Sequence, residues 1–199
     1  MSHENALGDR IYGALKDAVL AGALDRHLRL DFAELADEYG VSTTPIREAI
    51  MRLLGEGLVE LHPKGGIRPA RLSEYRLRAL LDAQARLVRS ALHGASRPIL
   101  SGCEWPALTT NESRARHIFG AIARSTDNPE YVEIVERISD RLSPFRRYED
   151  SVLNHVSQEL DGLHTALADL EALRRALRAY HRRRVAVVGK IIWKAGSAE

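Results

Sequence analysis

The sequence predicts a mainly α protein in two parts, a winged helix-turn-helix of three helices plus a small β-wing, followed by an all-α helical bundle. Three observations predict it. Apolar residues recur at helical spacing along most of the 199 residues. A tight Gly40-Val41-Ser42 turn joins two of the early helices. Strand-like alternation is confined to the stretch around His62-Pro63-Lys64-Gly65-Gly66, with no strand pattern after Ala70. We place the boundary so that residues 1–72 form the first domain and 73–199 the second.

Residues 6–24 repeat Leu7, Ile11, Leu15 and Val19 at helical spacing and predict the first helix. A connector or short strand, LDRHLRL, leads to Asp31, which with Glu34 makes a capping-box pattern for a helix ending at Gly40. Ser42 offers a hydroxyl cap and Pro45 a residue without N–H at the start of the third helix. There Ile46, Ala49, Ile50, Leu53 and Leu54 form a core stripe, leaving Thr43, Thr44, Arg47, Glu48, Met51 and Arg52 on the free face. Leu58, Leu61 and Ile67 alternate about the double glycine as a hairpin. Beyond Leu72, Ser73 caps a long helix to about His93, and residues 94–111 are rich in breakers. Thr109 with Glu112 opens a helix to about Ser125, and Asn128-Pro129 opens one toward Tyr148. Another runs from Asp150 to about Ala168, and a last from Asp169 to about Trp193. Arg174, Arg175, Arg178, Arg182, Arg183 and Arg184 are expected on the solvated outside of that final helix.

Composition narrows the class. With 45% hydrophobic and 28% charged residues the chain can bury a core. No run of about eighteen apolar residues is present and the N-terminus lacks the pattern of a secretory signal, so a cytoplasmic protein without membrane partners is expected. One cysteine, Cys103, excludes an intrachain disulfide and a thiolate-rich zinc site. Nothing matches a Ser/His/Asp set, a phosphate-cradling glycine loop or a paired-carboxylate site, and no enzyme is expected. Net charge is +2 overall, but residues 1–72 hold 9 Lys and Arg against 11 Asp and Glu. Any grip on DNA therefore depends on local arrangement.

The helix-turn-helix order supplies that arrangement. The start of the third helix offers N–H groups and the positive dipole end to a phosphate, beside the Thr43 and Thr44 hydroxyls and Pro45. Arg47 and Arg52 are the helix cations, and Lys64, Gly65 and Gly66, with Arg68 nearby, bring charge and close backbone approach at the wing. These eight residues, Arg68 aside, are the expected DNA contacts. A two-fold dimer reading a palindrome follows from one such unit contacting one half-site.

The stretch from Ile11 to Gly66 resembles the winged-helix domain of the GntR family of bacterial transcriptional regulators. Leu35-Ala36, Gly40-Val41-Ser42, Thr44-Pro45-Ile46-Arg47-Glu48-Ala49, Arg52-Leu53, Glu56-Gly57-Leu58-Val59 and Gly66 carry the likeness. The resemblance implies a DNA-binding regulator, with a repressor the expected sense. Two departures stand out: Arg26-His27 replaces the usual Pro-Gly, and Thr43 stands where the family often has Arg.

The second half resembles the FCD-type effector domain of the FadR-like branch through Arg78, Asp82, His117, Ser125-Thr126-Asp127-Asn128-Pro129 and the Glu159 to Leu177 pattern, in shortened form. That resemblance implies an aspartate and three histidines around a divalent metal. Here the matching positions read Ser113, His117, Leu160 and Tyr180, although a one-residue shift would substitute His181, and His155 and His164 lie near. One imidazole cannot hold a metal, so no metal or other cofactor is expected. Instead Arg78, His117 and Tyr180 are the expected contacts for a small organic acid or acyl-type effector. The alternative is a constitutive DNA-binding repressor whose bundle only dimerises.

Overall fold

A computed structural model describes residues 3–24, 29–93, 99 and 108–197. The chain divides into two compact units between Arg71 and Leu72. Residues 25–28, which include Arg26-His27, and most of the breaker-rich segment, including Cys103, lie outside the described residues.

The first unit holds α1 (His3–Leu20), α2 (Phe32–Tyr39), α3 (Thr43–Glu56) and the antiparallel strands β1 (Val59–Leu61) and β2 (Ile67–Pro69). The apolar spacing of α1 and α3 puts Leu15, Ile46, Ile50 and Leu53 in one core with Leu35, Leu58 and Ile67. Each such side chain contributes about 1.5–3 kcal/mol on burial. Helix α1 begins earlier than the sequence suggests, at His3, and also ends earlier, at Leu20, where Gly22, at φ 71°, turns the chain. Helix α2 is capped as its sequence indicates. The Asp31 carboxylate accepts from the N–H groups of Ala33 and Glu34, and Gly40 closes the helix at φ 65°.

Helix α3 differs at its start. Ser42 occupies the cap position with extended backbone, yet its hydroxyl makes no capping bond, and Pro45 is the third helical residue rather than the first. The proline is tolerated all the same, since the first four helical N–H groups have no intrahelical partner. Tyr12 donates to Glu56, and Lys16 Nζ lies 2.9 Å from the same carboxylate, so α1 is tied to the end of α3.

The second unit is all α among the described residues: α4 (Glu74–His93), α5 (Asn111–Arg124), α6 (Pro129–Arg146), α7 (Val156–Ala166) and α8 (Leu170–Ser197), with a 3-10 turn at Glu149–Ser151. Ser73 Oγ accepts from the Arg76 N–H and Asn128 Oδ1 from the Glu130 N–H, as the sequence predicts. The cap of α5 is Thr110 rather than Thr109, its Oγ1 accepting from the Ser113 N–H. The helix expected from Asp150 to about Ala168 forms only from Val156 to Ala166, as α7. A single 3-10 turn intervenes and α7 starts only after His155, whose φ of 60° interrupts any continuous helix. Asp169 caps α8 by accepting from the N–H groups of Glu171 and Ala172.

Two apolar clusters fill this unit. One gathers Val88, Ile118, Phe119, Ile122, Leu160, Leu163, Leu177 and Tyr180. The other gathers Leu77, Leu81, Leu142, Phe145, Val188 and Ile191. Among the described residues no helix is long and apolar enough to cross a membrane.

Candidate nucleic-acid interface and buried polar centre

Thr43, Arg47 and Met51 follow one another at four-residue spacing on α3 and line a groove of about 480 Å³. Its other walls are Leu30 to Ala33 at the start of α2, and Leu61, Gly66 and Ile67 of the wing. The Arg47 guanidinium carbon lies 5.4 Å from the Phe32 ring centroid, and the side chain is exposed. Thr44 is exposed beside this face and Pro45 half-buried behind it.

Arg52 is placed differently from Arg47. It pairs with Asp9 at 2.8 Å and lies 3.8 Å over the Tyr12 ring, so it braces α3 against α1. At the wing, Arg68 also has a structural partner, Glu60, directly opposite on the neighbouring strand at 2.7 Å. Lys64 is exposed at the tip. Gly65 and Gly66 adopt φ of 84° and 87°, which the hairpin turn requires, and a Cβ on Gly66 would meet the Arg29 side chain at 3.4 Å. Arg29 in turn donates to the Lys64 carbonyl. The wing glycines thus serve the turn and the bracing arginine, in addition to the close approach their size allows. Slight burial, then Arg68, Arg29, Lys64 and Arg71, lower the His62 pKa, which registers a local concentration of positive charge in an otherwise acidic unit. Sequence reasoning missed Phe32 and Arg29, because neither belongs to a motif and only the fold brings them to the helix and the wing.

The three residues expected to hold an effector do not converge. Arg78 is exposed, donating to the Val185 carbonyl at 3.0 Å and pairing with Glu74 at 2.9 Å, so it ties α4 to α8. His117 faces α7, its ring centroid 6.3 Å from that of His164. Tyr180 is fully buried against Phe119, with ring centroids 5.3 Å apart. Burial pushes its phenol pKa up, against the pull of Arg146 and Arg184.

What lies beside Tyr180 is a guanidinium. Arg184, expected on the outside of α8, is fully buried with its central carbon 3.3 Å from the Tyr180 ring centroid. It donates to Glu149 at 2.6 Å and Glu159 at 2.7 Å. Burial opposes its charge, but Tyr180, Glu149 and Glu159 outweigh that and raise its pKa. A second buried arginine, Arg146, donates to Gln84 Oε1 at 3.1 Å, and Gln84 Nε2 donates to Ser139 at 3.1 Å. The signal for Arg184 was in the spacing, since Leu173, Leu177, Tyr180, Arg184, Val188 and Ile191 continue one inward stripe of α8. Both Tyr180 and its neighbour His181 are buried and pack against Phe119, so the choice between them that the sequence left open has the answer that each faces inward.

These surroundings do not suit a divalent metal. Leu160 is in the apolar core, Ser113 Oγ donates to the Thr110 carbonyl, and Tyr180 is covered by a permanent cation. Among the described residues no three His, Cys, Asp or Glu side chains gather as a ligand set.

The first unit is therefore a winged helix-turn-helix of the DNA-binding class, followed by a separate all-helical unit. Residues 7–68 match the family described as bacterial regulatory proteins, gntR family, which places the likeness in the N-terminal unit. The chain is 23% identical over 150 residues to the uncharacterised HTH-type transcriptional regulator YdhC of Bacillus subtilis (strain 168), covering 74% of this chain and 65% of that protein. It is 30% identical over 96 residues to the HTH-type transcriptional repressor GlaR of Escherichia coli (strain K12), covering 48% and 43%. The chain spans less than two thirds of the length of these curated relatives. Their names are those of regulators, not enzymes. In fold it is similar to a GntR regulator from Rhodococcus sp. RHA1, with a TM-score of 0.74 at 17% identity over 92% of this chain and 97% of that one. It is also similar to E. coli McbR/YncC, with a TM-score of 0.68 at 19% identity over 92% and 97%.

Proposed function

We propose that this chain is a transcriptional regulator that binds a palindromic operator as a homodimer, acts as a repressor, and is modulated by a small-molecule effector bound in its helical unit. The observation that carries the DNA reading is the shared groove: Thr43, Arg47 and Met51 on α3 open onto the same space as the wing residues Leu61 and Gly66. A recognition helix and a wing on one side of a small domain can enter a groove and touch the flanking backbone together. Thr43, Thr44 and the N-terminus of α3 meet phosphate, Arg47 reads a base edge, and Lys64, Gly65 and Gly66 follow the backbone. Pro45 sits in the first turn of α3, where a missing N–H costs no helical bond, and Arg52 holds α3 at its angle through Asp9 and Tyr12.

Repression is the sense carried by the name of the GlaR relative. Dimerisation follows from the reach of one winged helix, which spans a half-site only. The helical unit works without a resident metal, its centre being held by Arg184 instead. Cytoplasmic location and the absence of a membrane partner accord with a DNA target.

The test is anisotropy titration of labelled DNA from the region upstream of the chain's own gene, with footprinting to read the symmetry of the site. Protection of two half-sites one helical turn apart, by a species that sediments as a dimer, is the expected result. Binding by a monomer, or no preference for that DNA over a scrambled duplex at matched salt, would overturn it.

A second reading has its own support. Because Arg78, His117 and Tyr180 do not converge, the helical unit also suits a role as a dimerisation body alone. Operator affinity that no small molecule alters would select it.

A further inference from the structure

Between α4 and α8 runs a small pocket of about 170 Å³ lined by Asp82, Ala85 and Arg89 on one side and Leu177, Arg178 and His181 on the other. Its volume corresponds to roughly five waters, or one small oxyanion with part of its shell. Arg89 and Arg178 are both exposed at the rim. Asp82 does not neutralise them, because it is engaged by Arg86 at 2.7 Å.

The floor is more specific than the rim. His181 is 6% exposed, and its Nδ1 lies 2.8 Å from the Leu177 carbonyl oxygen. A carbonyl only accepts, so Nδ1 carries the proton of that bond and the neutral ring presents a bare lone pair at Nε2. That Nε2 is buried without a hydrogen-bond partner. Burial first, with Arg146, Arg184 and Arg89 adding to it, pushes the ring pKa down to about 4, which keeps the lone pair available at neutral pH. The pocket therefore sets two guanidinium groups for negative charge over a buried imidazole whose Nε2 still lacks a donor.

We propose that this pocket binds a small oxyanion carrying a hydroxyl next to its charge, with Arg89 and Arg178 holding the anionic oxygens and His181 Nε2 accepting from the hydroxyl. A hydrogen phosphate presents that pairing through P–OH, and a 2-hydroxycarboxylate through C–OH. Both are one chemistry from two sources. Recognition is direct, through side chains of this chain, and uses none of Arg78, His117 and Tyr180. The proposal deepens the effector reading above and rests on it only for the regulatory consequence; occupancy itself is read without DNA.

Calorimetry on the full chain near pH 7.5 compares two matched pairs, inorganic phosphate against sulfate and glycolate against acetate. In each pair the second member lacks the donor. The donor-bearing member of at least one pair binds about tenfold or more tightly than its partner, since a buried acceptor left without a donor costs on the order of one tenfold step in affinity. Discrimination in the first pair alone identifies a phosphate-type ligand, and in the second alone a hydroxy acid. Arg178→Ala, a change at an exposed rim position that leaves the core untouched, weakens the binding member about tenfold. His181→Phe, checked for retained helicity, brings the two members of the pair to equal affinity. Equal binding within both pairs, no binding by any of the four, or an Arg178→Ala variant with unaltered affinity would overturn the proposal. An operator titration with and without the bound anion then reports regulation separately, so loss of DNA binding leaves the pocket result standing.

Discussion

The guanidinium of Arg184 stacks on the ring of Tyr180 at 3.3 Å, and both side chains are closed off from water. The arrangement joins α8 to the 3-10 turn and to α7, because Glu149 and Glu159 share the same guanidinium. Removing one member of such a buried set strands the rest. Arg184→Ala should lower the stability of the helical unit by about 3–5 kcal/mol, because buried Glu149 loses its counter-ion and Glu159 is left with Arg183 alone. Urea denaturation followed by circular dichroism measures this, and a loss below about 1 kcal/mol would show that the carboxylates escape to solvent.

Acid should weaken the same unit through its histidines. The His181 pKa is pushed down to about 4 from an ordinary 6.5 by burial, then by Arg146, Arg184 and Arg89, while Phe119 packs against the ring from α5. Burial also lowers His117 and His164. A depressed histidine means the unfolded chain binds more protons, so stability is full above about pH 6.5 and falls as pH drops toward 4. For His181 alone the loss is on the order of 3 kcal/mol. His181→Gln should flatten the decline between pH 6.5 and 4 in thermal melts, and an unchanged slope would remove this residue as its cause.

Arg47 and Lys64 should separate on DNA. Arg47→Ala weakens operator binding by about 1–3 kcal/mol and relaxes preference at one base pair, whereas Lys64→Ala weakens all sequences alike and reduces the salt slope by about one. Titrations on the operator and on single-base variants at several salt concentrations measure both. A uniform loss for Arg47→Ala would reassign it to phosphate.

At the wing, Gly66→Ala places a Cβ at φ 87° and 3.4 Å from Arg29. A strained backbone position of this kind costs about 1–3 kcal/mol. The variant should melt earlier in the N-terminal unit and bind DNA more weakly. Gly55→Ala, within α3 and with open space at its Cβ, should instead leave both intact or slightly improved.

Chelation should be silent. With Leu160 and Tyr180 packed in apolar and cationic surroundings, EDTA or added nickel should leave the melting temperature of the full chain unmoved. A shift of several degrees with either would mean that a metal resides in the helical unit after all.

Much of the first unit was legible because its signals are local. The apolar stripe Ile46, Ala49, Ile50, Leu53, the Asp31 cap, the closing Gly40 and the Gly65-Gly66 turn each follow from residues within one helix turn or one hairpin of each other. The same local logic placed Ser73, Asn128 and Asp169 at helix starts. It placed the α5 cap one residue early, at Thr109 beside Thr110, expected from Ser42 a side-chain bond that does not form although Ser42 holds the cap position, and began α7 at Asp150 where His155, at φ 60°, delays the helix to Val156. Arg47 was legible as an exposed cation, but its rest on Phe32 was not. Tertiary packing alone decided which arginines face in. Arg52 went to Asp9 and Tyr12, Arg78 to Val185 and Glu74, and Arg184 to the buried carboxylates, since a guanidinium takes its partner from whichever element packs beside it. Sequence spacing reports one helix face at a time. Where charge comes to rest depends on what the fold sets opposite that face.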